Sequence, residues 1–530
     1  MNIVMTVIAI VASAIVARYY LHMFQLESYQ LDGYIRWLKK HTDKHLGGTL
    51  TIGVGAGVAY YVLALFLNMF AGESCWLISG ILTVIGFAAA VFLHDRSLHS
   101  APEKKPLVYT PRMKRLYAAL ALVAVLLGLV IHAIGLPGVF MFVGVPYLTL
   151  AAGFIMQPVE KAISNSYLND AKRKLAARED LIKIGITGSY GKTSTKFILA
   201  SILSEKYDVL ATPSSFNTPM GLTRVIRERL EDHHQVFLAE MGARHVGDIE
   251  ELVDLVHPKY GLITSVGAQH LETFGDVDTV ANTKFELIDG LPEDGVGFFA
   301  ADGGEVDKLY ERAKVKKYRA GLKGILLDMR ADDIEVGPAG STFTLRNSFG
   351  ETIQCTTKLL GRHNIQNIVL ACSVAAHLGL TMEQIARGVG RIEPVEHRLQ
   401  LIPGANGVTV IDDAFNSNPV GAKAALDVLS GFPGRHVVVT PGMVEQGERE
   451  DEINRQFGSQ MAYACDVAIL IGKKHTAPIV EGLLKGGMAQ DRIYVVNSLD
   501  EATVILGQIG QPGDTVLFEN DLPDNYSEKQ

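Results

Sequence analysis

Cysteine is scarce in this 530-residue chain, which contains only Cys75, Cys355, Cys372 and Cys465. The four lie far apart and form no C-x-x-C pair, so the sequence offers neither a disulfide framework nor the usual spacing of zinc ligands. Reduced thiols in a cytoplasmic compartment are therefore predicted.

The chain also lacks an excess of positive charge. Lys and Arg number 49 against 57 Asp and Glu, a formal net charge of −8, and this balance gives no indication of a nucleic-acid partner. No tandem repeat or low-complexity tract is evident. Apolar residues, in contrast, make up 48% of the chain and are concentrated before residue 160, which is unusual for a soluble enzyme.

Five apolar runs account for that concentration. They cover about residues 3–24, 50–70, 76–93, 116–134 and 139–156. Each is close to the roughly 20 residues that a helix needs to cross a bilayer. No basic segment precedes the first run, so a retained transmembrane helix is expected there rather than a cleaved signal peptide. The alternative is a buried helical bundle of a soluble protein.

Lysine and arginine are unevenly distributed among the loops between these runs. Residues 25–48 and 94–115 are basic, whereas 71–75 and 135–137 contain neither residue type, and basic residues return after the fifth run. Because positively charged loops remain inside, the pattern predicts a multi-pass protein of the cell membrane with its N-terminus outside. Everything after residue 160 is then cytoplasmic.

A strand, a glycine-containing turn and a helix follow one another from Ile182 to Leu203. The apolar run 182–187 is typical of a buried strand, and residues 197–203 have helical spacing. Such a turn lets backbone N–H groups converge on phosphate oxygens, while a lysine reaches the β- and γ-phosphates and a hydroxyl binds Mg²⁺. A chance Gly-Lys-Thr in a surface turn is the alternative, which the flanking strand and helix disfavour. The candidate residues are Gly188, Ser189, Gly191, Lys192, Thr193 and Ser194.

Strand-like and helical segments alternate through the rest of the chain, which predicts an α/β fold with largely parallel sheets. The multi-span helical membrane region, residues 1–160, is followed by a helical connector over 161–180. A P-loop central domain is expected over 181–398, with residues 318–358 as an antiparallel insertion. The alternation restarts near residue 399, so a Rossmann-like C-terminal domain is expected over 399–530.

Two polar side chains follow predicted strands. Glu240 ends the strand 236–240, and His270 comes after the strand 260–264. Open α/β sheets bind ligands at the carboxyl ends of their strands, so Glu240 is placed to hold a Mg²⁺ that bridges nucleotide phosphates. His270 is a candidate ligand at the neighbouring strand end. A solvated carboxylate and a structural histidine are the plainer alternatives.

An ordered series of motifs over about residues 180–530 resembles the Mur ligase family of ATP-dependent amide-forming enzymes. One group of these ligases uses a short T-G-S-x-G-K-T-S turn, and here Ile186 stands where the common phosphate loop has glycine. The motifs most resemble the members that add D-alanyl-D-alanine to a UDP-muramoyl tripeptide. The series consists of Thr187–Thr195, Glu240-Met-Gly, Ala268-Gln-His270-Leu-Glu, Lys284-Phe-Glu, Leu360-Gly-Arg-His-Asn364-Ile-Gln-Asn367, Glu396-His-Arg398 and Asp412-Asp-Ala-Phe-Asn416-Ser-Asn-Pro419.

This resemblance implies ATP and two Mg²⁺ ions as cofactors. Lys192 and the Gly188–Gly191 backbone would hold the ATP phosphates, and Thr193 and Glu240 would bind one Mg²⁺. His270 and Lys284 would serve the second Mg²⁺, with Lys284 carbamylated by CO₂ so that it offers the oxygen ligands that Mg²⁺ requires. Lys192, His270 and Lys284 are thereby implied as catalytic residues.

Substrate contacts are implied in the same way. Asn367 would face the adenine, and Arg398 and Asp413 would close on the nucleotide. The remaining implied positions are Asn217 and Thr218 on the side of the carboxylate substrate, and Asn416, Ser417 and Asn418 facing the incoming amine.

The resemblance ends where soluble relatives carry an N-terminal domain that grips the UDP of the sugar nucleotide, because the apolar region occupies that place here. Either the grip is absent, or the basic and aromatic segment 34–39 replaces it. Such a segment also suits a lipid head group or a lipid-linked diphosphate, and plain positive-inside charge explains it as well. The expected partners are a small-molecule or lipid-linked peptidoglycan precursor, an amino acid or dipeptide, and membrane lipids.

Three functions remain open from the sequence. The first is a membrane-anchored ligase of bacterial cell-wall precursor synthesis, which activates a carboxylate as an acyl phosphate and joins it to an amine. The second is a similar ligase for another polymer, such as poly-γ-glutamate. The third is a transport or scaffold protein with a regulatory nucleotide site. Glu240, His270 and Lys284 argue against the third, because a regulatory site need not keep both metal positions.

Overall fold

The structure is a computed structural model that describes residues 2–42, 45–71, 75–99, 106–214, 216–267, 271–324, 326–414, 417–444 and 449–521. Two of the candidate site residues, His270 and Asn416, lie outside these ranges. The chain divides into two units, Met1–Ser166 and Tyr167–Gln530.

Helices form the described part of the first unit. Five helical segments are long and apolar enough to cross a membrane by length and composition, in agreement with the five apolar runs. The fourth of them ends where Gly135 adopts a positive φ of 76° and Pro137 follows two residues later. Helices α1 to α6 cover Asn2–Leu26, Leu31–Lys40, Thr51–Ala71, Cys75–Leu98, Pro111–Ala133 and Val145–Ala176, with a π-helical turn at His45–Leu50 and a 3₁₀ segment at Gly138–Gly144.

The first unit has a core, but its outward surface is apolar. Val16, Tyr20 and Phe142 are completely buried at its centre. In contrast, Leu65 is 70% exposed and Phe154 is 69% exposed. Large apolar surfaces of this kind mark contact with something other than water.

The last turns of α6 belong to the second unit. Ala171 and Leu175 are buried in the same hydrophobic cluster as Leu222 and Ile226. Nε of Arg227 donates a hydrogen bond to Oδ2 of Asp170 at 2.7 Å. The charged helix expected over 161–180 is therefore helical as far as Ala176, and its inner face packs as part of a core.

The described part of the second unit forms two sheets. The first has nine strands in the order β2-β3-β1-β4-β5-β6-β7-β8-β9. Strands β3 and β5 are buried along their whole lengths, which is typical of parallel strands covered on both faces. Strands β1 to β9 are Ile182–Thr187, Val209–Ala211, Val236–Glu240, Tyr260–Ile263, Val296–Ala301, Lys316–Gly321, Met329–Gly337, Gly340–Asn347 and Thr352–Thr357, and helices α7 to α14 are Lys192–Leu203, Pro219–Arg229, Asp248–Val256, Leu271–Phe274, Val277–Asp289, Glu305–Arg312, Arg362–His377 and Met382–Gly390.

The segment expected to be an antiparallel insertion extends the same sheet. Strand β8 pairs antiparallel with β7 and with β9, as expected. The prediction is wrong at its start, because β6 pairs parallel with β5. Alternating polarity predicts a strand with one exposed face, and it carries no information on the direction of pairing.

The second sheet has six strands in the order β10-β11-β15-β12-β13-β14. Only β10 pairs antiparallel, at the edge beside β11, so the renewed alternation does correspond to a second parallel α/β sheet. Strands β10 to β15 are Gln400–Pro403, Thr409–Asp413, His436–Thr440, Val467–Ile471, Ile493–Val496 and Thr515–Glu519, and helices α15 to α18 are Pro419–Leu429, Glu450–Ala464, Lys473–Lys485 and Leu499–Ile509.

Candidate active site

A tight turn joins the end of β1 to the start of α7. Gly188 and Gly191 have φ angles of 148° and 79°, which disfavour a side chain. A Cβ on Gly188 would collide with the hydroxyl of Thr264, and a Cβ on Gly191 would lie 2.8 Å from Oδ1 of Asn367. The chain therefore needs glycine at both positions for conformation and for space.

The segment that follows β4 holds this turn in place. The amide of Ser189 donates to the Ser265 carbonyl at 2.7 Å, and the amide of Tyr190 donates to Oγ of Ser265 at 2.8 Å. Oγ1 of Thr264 donates to the carbonyl of Tyr190 at 2.6 Å. The turn therefore leads directly into the N-terminus of α7, where Lys192, Thr193 and Ser194 form the first turn and the amides carry a partial positive charge.

Lys192 folds back over the turn. Its Nζ donates to the carbonyls of Gly188 at 2.5 Å and Ser189 at 3.0 Å. Burial lowers the pKa of Lys192 to about 8, the charge of Glu240 opposes this shift, and that of Arg398 adds to it. An ammonium group, glycine amides and a helix N-terminus thus meet in one place, which is the arrangement that binds nucleotide phosphates.

Glu240 lies beside this cradle at the end of β3 and is 1% exposed. Its Oε1 accepts hydrogen bonds from Oγ1 of Thr193 at 3.0 Å and from Nδ2 of Asn217 at 3.1 Å. Its Oε2 accepts from Nζ of Lys196 at 2.9 Å. The structure therefore brings together Thr193 and Glu240, the hydroxyl and carboxylate oxygens that suit a hard cation such as Mg²⁺.

The described residues contain no group of three or more His, Cys, Asp and Glu side chains that could hold a metal ion. The single carboxylate of Glu240 with the hydroxyl of Thr193 still suits Mg²⁺. This ion commonly takes one or two carboxylates and completes its octahedron with phosphate oxygens and water. Sites for Zn²⁺ or Ca²⁺ need a larger set of protein ligands.

Lys284 lies on α11 and is 2% exposed. Burial lowers its pKa to about 7, the charge of Lys192 lowers it further, and Asp248 and Glu286 oppose the shift. Glu286 has a structural role, because its carboxylate oxygens accept the amides of Gly247 at 2.9 Å and Glu250 at 3.0 Å at the start of α9. The charge of Lys192 in the phosphate cradle thus contributes to the lowered pKa of Lys284.

Two candidate substrate residues cap helices. Oγ1 of Thr218 accepts the amide of Gly221 at 3.2 Å at the start of α8. Oδ1 of Asn418 accepts the amide of Gly421 at 2.9 Å at the start of α15. Each precedes a proline at the first helical position, a common arrangement for a helix N-terminus.

Arg398 precedes β10, and Asp413 is the last residue of β11 in the second sheet. Burial raises the pKa of the Asp413 carboxyl to about 6, opposed by the Leu399 amide and by the charge of Arg398. Burial lowers the pKa of Arg398, opposed by the charges of Asp413 and Glu240. Arg398 therefore interacts electrostatically with Glu240 at the end of β3 in the first sheet and with Asp413 at the end of β11 in the second.

Sequence reasoning missed two buried charged residues of this region, Lys196 and Glu519. Lys196 is one helical turn after Lys192 and is 0% exposed. A signal was available, since Lys196 lies three residues before the buried Leu199 and seven before the buried Leu203, on the face of the helix that packs against the sheet. Glu519 is an acid at the end of a strand, as Glu240 is, but no motif of the series includes it.

Comparison with known protein families identifies the class. The Mur ligase middle domain matches residues 186–375, and the Mur ligase glutamate ligase domain matches residues 397–519. The chain therefore belongs to the Mur ligase family and is an ATP-dependent amide ligase.

Individual relatives narrow the comparison to one branch of the family. The UDP-N-acetylmuramoyl-tripeptide–D-alanyl-D-alanine ligase of Bacillus subtilis is 29% identical over 342 residues, which cover 63% of this chain and 72% of the relative. The enzyme of the same name from Mycobacterium tuberculosis is 32% identical over 362 residues, 63% of this chain and 69% of the relative. The crystal structure of MurF from Acinetobacter baumannii superposes with a TM-score of 0.61 at 27% identity, over 67% of this chain and 77% of that chain.

Proposed function

We propose that this chain is a membrane-anchored ligase of peptidoglycan precursor synthesis that joins D-alanyl-D-alanine to a muramoyl tripeptide. The observation that carries the proposal is the meeting of Lys192, Thr193 and Glu240 at the phosphate cradle. The Mur ligase middle domain matches the part of the chain that contains the cradle, and relatives named for this reaction match 63% of the chain.

The chemistry follows from the substrates. A carboxylate is a poor acyl donor, because its leaving group would be oxide. Transfer of the γ-phosphoryl group of ATP to the carboxylate gives ADP and an acyl phosphate, and this transfer depends on positioning and charge neutralisation. The acceptor amine then attacks the acyl carbon, loses a proton, and releases inorganic phosphate as the amide forms.

Each residue of the cradle has its own role in this reaction. The turn from Gly188 to Gly191, the first turn of α7 and Lys192 bind and orient the ATP phosphates. Thr193 and Glu240 would hold Mg²⁺, which would supply neutralisation of the phosphate charge. The side-chain amide of Asn217 donates to Glu240, so the segment that carries Asn217 and Thr218 adjoins the cradle. The carboxylate substrate is therefore expected on that side.

A second Mg²⁺ at His270 and a carbamylated Lys284 are part of the proposal. A pKa of about 7 leaves much of Lys284 neutral near neutral pH. The neutral amine attacks the carbon of CO₂, and loss of one proton leaves an N-carboxylate with anionic oxygens of the kind that Mg²⁺ prefers. Burial and the nearby Lys192 charge therefore favour the modification.

The remaining candidate residues are assigned to binding of the nucleotide and of the acceptor. The side chain of Asn367 lies against Gly191, and Arg398 and Asp413 act from just before β10 and from the end of β11. The acceptor amine is assigned to the segment Asn416–Asn418. The break between the two sheets supports an ATP-binding domain over 181–398 and a C-terminal domain over 399–530.

The five long helices of the first unit are proposed to cross the cell membrane with the N-terminus outside. Their exposed apolar side chains and the basic loops support this orientation. The segment 34–39 contributes to the packing of this unit, because Tyr34 is buried and its hydroxyl donates to the Pro146 carbonyl at 3.1 Å. Arg36 and Lys39 remain exposed and are available to phosphate groups of lipids or of a lipid-linked donor.

The test is an assay of ADP release by the purified full-length protein. UDP-muramoyl tripeptide and its lipid-linked form are each supplied with and without D-alanyl-D-alanine. Release that depends on a muramoyl peptide and on the dipeptide supports the proposal, and the preferred donor shows whether it is UDP-linked or lipid-linked. Release with oligoglutamate and glutamate alone would favour the polymer ligase. No substrate-dependent release with any donor would contradict the proposed reaction.

A further inference from the structure

A buried carboxyl at the end of β15 contacts the segment assigned to the acceptor amine. Glu519 is 1% exposed and ends a strand that lies between β11 and β12. The hydroxyl of Ser417 donates to its Oε1, and Oγ1 of Thr440 donates to its Oε2 at 3.2 Å. Each carboxyl oxygen therefore accepts one hydroxyl hydrogen bond, one from the segment after β11 and one from the end of β12.

The next residue extends these contacts. Asn520 has a positive φ of 67°, and its Oδ1 accepts the amide of Ser417 at 3.1 Å. Its Nδ2 donates to the Gly442 carbonyl at 2.6 Å, and its own amide donates to the Asp413 carbonyl at 3.2 Å. Glu519 and Asn520 together fix the side chain and the backbone of Ser417.

A comparison along the same strand shows what is unusual about Glu519. Asp514, next to the other end of β15, is also buried, and Nη2 of Arg435 lies 2.7 Å from its Oδ2. Asp514 is therefore a structural carboxylate whose charge is balanced by a cation. Glu519 instead receives neutral hydroxyl groups, and a carboxyl buried in that way costs stability. Its position is the carboxyl edge of a parallel sheet, where ligands bind.

We propose that Glu519 is a positioning residue for the acceptor, which holds Ser417 so that the segment Ser417–Asn418 faces the incoming amine. The inference rests on the proposed function. Asn418 is fixed from the other side, because its side chain caps α15. The segment is therefore held at both ends, and loss of Glu519 releases the end that carries Ser417.

Steady-state kinetics of the full-length protein test this role. Glu519→Ala is expected to raise the KM for D-alanyl-D-alanine by roughly tenfold, since two hydrogen bonds to a buried carboxyl are lost, while the KM for ATP stays within about twofold. A single turnover of ATP with the donor and without the acceptor is expected to release ADP at the wild-type rate. Glu519→Gln still accepts a hydroxyl hydrogen bond and should restore most of the acceptor affinity.

Two further variants separate positioning from general stability. Asp514→Asn removes a buried carboxylate near the same strand and is expected to lower thermal stability without changing the acceptor KM. Thr440→Val keeps the shape of its side chain and removes one hydrogen bond to Glu519, so it supplies a folded variant if Glu519→Ala does not fold. In a double-mutant cycle, Ser417→Ala and Glu519→Ala should be non-additive in the acceptor KM.

The outcomes distinguish the inference from the function on which it rests. Wild-type protein that uses no amine acceptor overturns the proposed function. Wild-type protein that uses the dipeptide, with an acceptor KM unchanged in both Glu519→Ala and Thr440→Val, overturns the positioning role alone. Equal increases in the KM for ATP and for the acceptor, or additive effects in the cycle, also overturn it.

Discussion

Nζ of Lys196 lies 2.9 Å from Oε2 of Glu240, and the two side chains are 0% and 1% exposed. The same ammonium group donates to the carbonyl of Ser214, so it joins the proposed Mg²⁺ ligand to the segment that leads to Asn217. Breaking a buried pair by removing one partner leaves an uncompensated charge. Lys196 is therefore expected to balance the negative charge of Glu240 until the divalent cation binds.

Lys196→Met should lower the stability of the metal-free protein by about 3–5 kcal/mol, the usual cost of breaking a buried ion pair. Mg²⁺ with ADP should then raise the melting temperature more in the variant than in the wild type, because the cation replaces the missing charge. The measurement is thermal unfolding with and without Mg²⁺ and ADP. Lys206→Met is the control, since Lys206 donates to the carbonyls of Leu378 and Gly379 away from the cradle. Equal increments in Lys196→Met and wild type would contradict this role.

Lys284→Ala should be nearly inactive, because the proposed second Mg²⁺ loses an anionic ligand. A small carboxylic acid fits the space of the missing side chain and supplies oxygens, so acetate or formate should restore part of the ADP release. The acids should not rescue Lys192→Ala, which lacks a cation. Full activity of Lys284→Ala, or an unmodified Lys284 with undiminished rates after removal of CO₂, would show that the lysine is not carbamylated.

The proposed membrane orientation predicts the reactivity of introduced cysteines. In a variant without the four native cysteines, Gly72→Cys should react with an impermeant thiol reagent added to intact cells. Lys104→Cys should react only after the membrane is opened, because its basic loop is expected inside. The opposite labelling pattern would reverse the orientation, and labelling of both from outside would refute the five-span arrangement.

Stability should depend on pH through Glu519. Burial raises its pKa from the ordinary 4.5 to about 8, the charge of Asp413 adds to this, and the Ser417 and Thr440 hydroxyls oppose it. The folded protein therefore binds this proton more tightly than the unfolded chain, so the contribution to stability falls as pH rises from about 4.5 to 8. Glu519→Gln has no such proton, and its melting temperature relative to wild type should rise across this range and level off above it. A constant difference would contradict the raised pKa.

The sequence was sufficient to predict that Thr193 and Glu240 lie together, because two local rules place them at the same edge of the sheet. A glycine turn after a buried strand fixes the helix start, and the carboxyl end of a parallel strand fixes Glu240. Lys196 was missed despite its position on the buried face of the helix, since a lysine on a helix is normally solvated. Its burial depends on the acid that β3 supplies from 44 residues away in sequence.

The substrate residues show a different limit of sequence reasoning. Thr218 and Asn418 were assigned from family resemblance alone, yet each is followed by proline and so also carries the local signature of a helix start. Glu519 bonds to Ser417 across 102 residues of sequence. Only the strand order of the second sheet, which inserts β15 between β11 and β12, brings the two together.

The end of α6 determines where a detergent-free fragment of the ligase can start. Asp170 bonds to Arg227, Nζ of Lys174 donates to the Leu230 carbonyl at 2.5 Å, and Leu175 is buried beside them. A fragment that begins at Tyr167 keeps all of these contacts, whereas one that begins at β1 loses the whole helix and exposes the apolar surface beneath it. A fragment that begins at the first strand of the ATP-binding domain is therefore expected to aggregate. A fragment that begins upstream, by the length of this helix segment, is expected to stay soluble.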